Sequence, residues 1–368
     1  MAESRLHELS ELGQSVWIDF LSRRLIEGGE LERRMREDAV VGVTSNPTIF
    51  QKAISGDDAY DEQLREVLAD EDDPKEVFLK LEVKDVQDAC DLLRSAWHAG
   101  QALKGYVSIE VDPNIAYDTD ATIAEAQRLH ELVDRPNCFV KIPGTKDGLP
   151  AIEEMIARGR NINVTLIFGL QRYAQVVEAY LRGLERLIES GGDPSKVASV
   201  ASFFVSRVDT EADRRLEEAG APDDLKGKLA VANAKLAYQR YKELHSGPRW
   251  EGLKAKGART QPCLWASTST KNPAYSDVLY VDELIGPETI NTMPEETISA
   301  FQDHGEVALT LERDLDEAKR VFDRIAEAGV DYDDVIVTLE QEGVQKFSDS
   351  FAELLNGVRA KRGELVSA

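Results

Sequence analysis

Eight short apolar segments alternating with helical stretches predict an α/β fold, a (β/α)8 TIM barrel with additional C-terminal helices. Two further observations support this class. Eight is the strand number that closes a parallel sheet on itself, and the chain has neither a solenoid-period repeat nor a low-complexity linker. A length of 368 residues leaves room for two domains, but barrels often use it as one. Residues 1–368 are therefore expected to form a single domain, with 311–368 as helices packing on the barrel.

Residues 1–14 read as a short helical lead-in, 15–20 as the first strand, and 22–37 as a helical stretch containing Gly28-Gly29. The second strand, 40–44, ends at Ser45-Asn46-Pro47, where proline biases the residue before it away from helix. Polar-rich helical segments cover 46–56, 58–69 and, after Pro74, 74–99. The third strand spans 104–111, and helix 119–134 sets Ile123, Ala126, Leu129 and Leu132 on one stripe. In the fourth strand Phe139, Val140 and Ile142 form an apolar run that Pro143-Gly144 stops. Thr145 is the expected N-cap of the next helix, where Ala151, Ile152, Met155 and Ile156 recur at helical spacing and Gly159 closes the helix. The fifth strand begins at Ile162 and runs to 168. A helix over 170–190 leads through Gly191-Gly192-Asp193-Pro194 to the sixth strand, 197–205. Helical segments fill 206–219 and 223–246, strand seven lies at 261–267, and strand eight at 289–292 between Pro287 and Pro294. Helices at 295–304 and 311–328 precede a last one, in which Val344, Phe347, Phe351, Leu354 and Val358 step by three and four. That face is expected to pack on the outside or rim of the barrel.

Composition narrows the function classes. With 42% apolar and 30% charged residues the chain is neither disordered nor fibrous. Its 68 acidic against 44 basic residues give a net charge of −24, which argues against nucleic-acid and membrane partners. An anionic small substrate then requires local cations that outweigh the global field. Cys90, Cys138 and Cys263 are odd in number and set in apolar surroundings, so they read as reduced core residues of a cytoplasmic protein. Residues 1–17 have neither a basic n-region nor an apolar h-region, and no apolar run approaches membrane-spanning length, so neither a signal peptide nor a span is expected.

Lys141 interrupts a strand that would otherwise be buried on both faces. Burial penalises an ammonium unless it has a partner or a task. The plainer reading is a snorkelling or ion-paired lysine. The sharper one is an amine nucleophile: with an ordinary pKa of about 10.4, roughly one lysine in a thousand is neutral near pH 7.4, and each unit of depression recovers about tenfold. Strand ends converge on one mouth in such a barrel, so the polar residues there can meet: Asp19, Asn46, Glu110, Lys141, Thr165, Ser202 and Ser267. Singly each reads as a turn or cap residue; around one buried lysine they form a constellation. Asp19 and Glu110 either compensate its charge or move the protons of imine chemistry. Arg207 and Lys271 are either solvated surface charges or cations at the same mouth, where barrels bind phosphate. P-loop, dinucleotide, zinc-protease and serine-hydrolase motifs are absent. His7, His98, His130, His245 and His304 show no ligand spacing, so nucleotide, metal and serine-hydrolase readings fall away.

The segments VGVTSNPTIF at 41–50, VSIEVDPNIAYDTDATI at 107–123, FVKIPGTKDGLPAI at 139–152, INVTLIFG at 162–169 and ASFFVSR at 201–207 carry a resemblance to the transaldolases of the longer bacterial type. It spans most of residues 15–310. The resemblance implies an (α/β)8 barrel without a metal or organic cofactor, whose members form a Schiff base. It matches Lys141 to the Schiff-base lysine and Asp19 to the acid/base at the hydroxyl whose deprotonation breaks the carbon–carbon bond. Glu110 and Thr165 match the pair that holds a catalytic water, and Asn46 the residue that hydrogen-bonds the three-carbon unit. Ser202 and Arg207 match phosphate-side residues. After strand seven this chain reads ASTSTKNP where many relatives have alanine-serine-phenylalanine-arginine-asparagine, so Lys271 stands near where an arginine is usual and Ser267 borders the departure.

The implied reaction transfers a dihydroxyacetone unit from fructose 6-phosphate or sedoheptulose 7-phosphate to an aldose phosphate, in the non-oxidative pentose phosphate pathway. Sugar phosphates are the expected partners of a monomer or homodimer. Two alternatives stand beside it: a fructose 6-phosphate aldolase that releases dihydroxyacetone, and a non-catalytic sugar-phosphate-binding barrel. Such aldolases are shorter chains that typically lack the glutamate matched by Glu110, and binding alone needs no set of Lys141, Asp19 and Glu110.

Overall fold

In the computed structural model, which describes residues 4–56, 58–99 and 104–367, eight parallel strands close into a barrel in chain order. They are β1 (Gln14–Asp19), β2 (Val40–Thr44), β3 (Tyr106–Glu110), β4 (Cys138–Pro143), β5 (Ile162–Ile167), β6 (Ser199–Phe204), β7 (Cys263–Ala266) and β8 (Thr289–Met293). Pairing of β1 with β8, from Gln14 opposite Thr289 to Ile18 opposite Met293, seals the barrel. Residues 1–3 of the expected lead-in lie outside the described residues; the remainder forms the helix Arg5–Glu11.

Departures from the expected boundaries have local causes. The stretch 22–37 is two helices, Arg23–Glu27 and Glu30–Glu37, divided where Gly29 takes a φ of 71°. The helix after β4 starts at Gly148 rather than 145. Its N-cap is Asp147 rather than Thr145, whose Oγ1 instead accepts from the Gly148 N–H at 2.9 Å in the turn that leads into the helix. Gly159, at φ 75°, closes that helix as expected. The stretch 223–246 breaks into a 3-10 turn, Asp223–Leu225, and the helix Leu229–Leu244; between them Gly227 has a φ of 68°. Two further helices, Gly247–Lys254 and Leu279–Asp282, fall where no element was expected.

Rings from β1, β3 and β4 fill part of the barrel interior. Trp17 of β1 stacks on Phe139 of β4 with centroids 6.2 Å apart, and Phe139 stacks on Tyr106 of β3 at 4.3 Å. Strand side chains alternate between faces, so this aromatic layer lies under Asp19, Lys141 and Glu110, which share its faces of β1, β4 and β3. Gly42 of β2 makes room for it, since a Cβ there would meet the Trp17 ring at 2.3 Å. On the outer side Cys90, Cys138 and Cys263 are buried and free, and burial pushes the Cys263 thiol up to about 12. Burial also pushes His130 and His245 down to about 4, leaving both neutral within the packing.

Past β8, helix Leu315–Glu327 packs against helix Leu229–Leu244 on the outside of the barrel. The final helix, Tyr332–Ser367, instead crosses the rim at the strand C-termini. Tyr332 at one end donates to Asn233 Oδ1 at 2.7 Å and accepts from the Leu170 N–H at 3.1 Å. Farther along, Thr48 Oγ1 donates to Ser350 Oγ at 2.8 Å and Phe351 meets the edge of Phe78. Its expected apolar stripe, Val344, Phe347, Phe351, Leu354 and Val358, is buried. Gly343 permits the close crossing over β5, for even a Cβ there would lie 3.1 Å from Leu166.

Gly42→Ala is expected to lower stability by about 1–3 kcal/mol, as overpacking a filled core does. Urea unfolding followed by near-ultraviolet circular dichroism checks this; an unchanged midpoint would mean that Trp17 does not fill the space over Gly42.

Candidate active site

Lys141 lies on the inward face of β4, directly opposite Glu110 of β3 in the strand register. The residue is 6% exposed, and its Nζ donates to the Ser45 carbonyl at 2.8 Å and to Glu110 Oε2 at 3.0 Å. Ser45 follows β2, where Pro47 starts a helix and turns the chain so that this carbonyl faces the barrel. Glu110 is itself buried, which raises its carboxyl above the usual range against the lowering effect of Lys141. Its second oxygen, Oε1, and Thr165 Oγ1 on β5 are buried without a hydrogen-bond partner.

Asp19 ends β1. Thr44 Oγ1 donates to it at 2.8 Å and lies 2.6 Å from Thr292 Oγ1 of β8, so the strands on either side of β1 hold the carboxyl in place. Burial raises its pKa, with Lys141 and then Thr44 opposing the rise. Asn46 caps helix Pro47–Gly56, its Oδ1 accepting from the Ile49 N–H at 3.1 Å, and also lines the mouth. Ser202 on β6 donates to Asn163 Oδ1 at 2.7 Å.

A cavity of about 220 Å³ brings Asp19, Asn46, Lys141, Thr165, Ser202, Arg207, Ser267 and Lys271 together. Glu110, beneath it, joins through Lys141. Arg207 stands in the first turn of helix Ser206–Glu218, stacked 5.4 Å from the Phe204 ring, with a buried Nη1 that has no partner. Desolvation lowers its pKa, so its charge is held at a cost that an anion would relieve. Ser267 adopts a left-handed φ of 57° as the chain leaves β7, and its Oγ lies 2.9 Å from Ser206 Oγ. Lys271 donates to Ser269 Oγ at 2.5 Å. An amine, two buried carboxyls and two cations around one small cavity can form an imine, relay its protons and hold an anionic group nearby.

Some members of the site were not singled out in the sequence. Thr44 and Thr292 stand on inward strand positions, and that parity could have found them. Phe347, from the last helix, lies with its ring centroid 5.8 Å from Lys141 Nζ; its stripe indicated burial but not where. A groove of about 1480 Å³ lies on the flank among helices and contains none of these residues. Among the described residues no three His, Cys, Asp or Glu side chains are grouped to hold a metal ion, and no helix is long and apolar enough to cross a membrane.

The family model described as Transaldolase/Fructose-6-phosphate aldolase matches residues 16–358. Among curated relatives, the chain is 52% identical over 361 residues to a transaldolase of Frankia alni, with 97% of each chain covered. It is 53% identical over 355 residues to a transaldolase of Acidothermus cellulolyticus, covering 96% of this chain and 95% of that one. A transaldolase of Mycolicibacterium paratuberculosis is 51% identical over 362 residues, again with 97% of each covered.

Because Asp19 has its pKa raised in the fold, its carboxylate destabilises the native state at neutral pH, and this burden fades as pH falls through the folded-state pKa. Asp19→Asn is therefore expected to add about 0.5–2 kcal/mol of stability at pH 7, with the gain shrinking toward pH 4. Thermal unfolding of both proteins across that range checks it; a gain that grew on acidification would reverse the sign assigned to this carboxyl.

Proposed function

Since the chain belongs to the transaldolase/fructose-6-phosphate aldolase family and acts as a transaldolase, we propose that its transfer runs through a Schiff base on Lys141. The observation that carries this reading is the lysine itself, buried at the floor of the cavity with Ser45 O and Glu110 as its partners and Asp19 lining the same space.

The Lys141 amine attacks the ketone carbon of a ketose phosphate, fructose 6-phosphate or sedoheptulose 7-phosphate. Loss of water then gives a protonated imine. Glu110 and Thr165 hold the water that carries these protons, a role supported by their two buried, unpartnered oxygens. Asp19 takes the proton of the hydroxyl two carbons from the imine carbon. The carbon–carbon bond breaks, its electrons enter the imine, and glyceraldehyde 3-phosphate or erythrose 4-phosphate leaves. A neutral ketone would be a poorer electron sink than the cationic imine. The enamine, hydrogen-bonded by Asn46, attacks the acceptor aldehyde and the steps reverse. Ser202, Arg207, Ser267 and Lys271 form the phosphate side, with the unpartnered Arg207 Nη1 as the principal donor. We take residues 1–368 as one domain, which the matched span 16–358 favours, and the cytoplasm as its compartment, which the free cysteines favour.

Borohydride added with fructose 6-phosphate is expected to fix a three-carbon adduct on Lys141. Peptide mapping that found it on Lys146 or Lys104, or found none, would overturn the assignment. With fructose 6-phosphate as donor, erythrose 4-phosphate should greatly accelerate formation of glyceraldehyde 3-phosphate; equal rates with and without it would instead favour an aldolase.

Arg207→Ala is expected to lower kcat/KM with fructose 6-phosphate about 10- to 150-fold, the worth of a charged hydrogen bond of ~1.5–3 kcal/mol. Plain fructose should be nearly unaffected. Lys271→Ala should lose less, because a point charge lacks the planar fork that grips two phosphate oxygens. Equal losses on both donors would move the phosphate site elsewhere.

A further inference from the structure

Adjoining the 220 Å³ cavity is a second one of about 430 Å³, and the two share Asp19, Asn46, Arg207, Pro294, Glu296 and Phe347. Phe347 is the lining residue of the inner cavity that comes from the final helix rather than from the barrel and its loops. It is 8% exposed, and its ring centroid stands 5.8 Å from Lys141 Nζ. The hydrogen bond from Thr48 to Ser350 fixes the helix one turn farther on, and Gly343 sets its close crossing over β5 one turn before. The ring is thus held between the amine and the outer cavity.

This position bears on a choice the chemistry must make. Once the aldose phosphate has left, the enamine on Lys141 has two fates. It can form a carbon–carbon bond to an acceptor aldehyde, which is transfer. Alternatively its carbon takes a proton, water adds to the resulting imine carbon, and the carbon–nitrogen bond breaks, returning the Lys141 amine and free dihydroxyacetone. The second route needs a water at the enamine carbon to deliver that proton, since hydrolysis of an imine is common to both routes. An apolar ring offers such a water no hydrogen bond, whereas the strand-end hydroxyls around the rest of the cavity do.

We propose that Phe347 is a specificity-determining residue, shielding the Lys141 intermediate from water so that transfer outruns hydrolysis. The proposal rests on the Schiff-base reading above. The test uses the full chain carrying Phe347→Ser, Phe347→Ala or Phe347→Leu, with fructose 6-phosphate and erythrose 4-phosphate, and measures dihydroxyacetone released per transfer. Phe347→Ser and Phe347→Ala are expected to raise that ratio about tenfold or more, and Phe347→Leu to return it toward the original value. Borohydride trapping on Lys141 should persist in all three. A lower overall rate with an unchanged ratio would mean that the ring only supports the helix, and would overturn the proposal. Should Phe347→Ser fail to fold, the Ala and Leu variants decide by the same ratio. Absence of trapping on Lys141 in the unaltered chain would overturn the Schiff-base reading on which the proposal depends.

Discussion

An ammonium buried at the centre of a barrel can persist only where its hydrogens meet acceptors and its charge meets an opposite one. For Lys141 these are the Ser45 carbonyl and the Glu110 carboxylate, and both depend on elements far from it in sequence. Glu110 faces it because β3 and β4 pair in a register that sets these two residues opposite each other. A slip of one residue would turn either side chain to the outer face. The Trp17, Phe139 and Tyr106 layer closes the space below, so the polar groups above it share a walled site shielded from bulk solvent on that side. In such surroundings a carboxyl near the amine is expensive to ionise, and both Asp19 and Glu110 are accordingly displaced toward the protonated form.

The overall charge and the local charge point in opposite directions. The chain carries −24, yet the inner cavity sets Lys141, Arg207 and Lys271 against Asp19 and Glu296. The surrounding acidic surface does not favour anions, so discrimination for a phosphorylated sugar must be made at short range, where desolvated donors act strongly. Arg207 suits this, being half-buried against Phe204 with a donor that no protein group occupies.

Much of this was legible in the sequence because strand ends obey a simple rule. Asp19, Asn46, Lys141, Thr165, Ser202 and Ser267 were identifiable as polar residues at or near the ends of apolar strands, and barrel closure brings such ends to one mouth. The period-two alternation of β2 and β8 would also have disclosed Thr44 and Thr292. The amphipathic stripe of the last helix fixed which residues are buried, but stripe periodicity carries no information about where the partner surface lies. Hence Phe347 read as packing on the outside or rim, while its role in the cavity depends on a crossing that Gly343 and Ser350 determine through long-range contacts. The short helices Gly247–Lys254 and Leu279–Asp282 escaped for a related reason: each is brief and amphipathically weak, and tertiary packing rather than local pattern defines it.

The route of the final helix also gives the catalytic pocket a history. Strands β1 to β8 contain the amine, both carboxyls and the threonines, all of which precede residue 294 in the chain. The ring over Lys141 comes later in the chain, on a helix that crosses the rim so that Ser350 meets Thr48, a contact 302 residues long in sequence. In chain order the cavity floor therefore comes first and its roof last: a chain ending before residue 332 would carry Lys141, both carboxyls and the threonines without the ring that covers them.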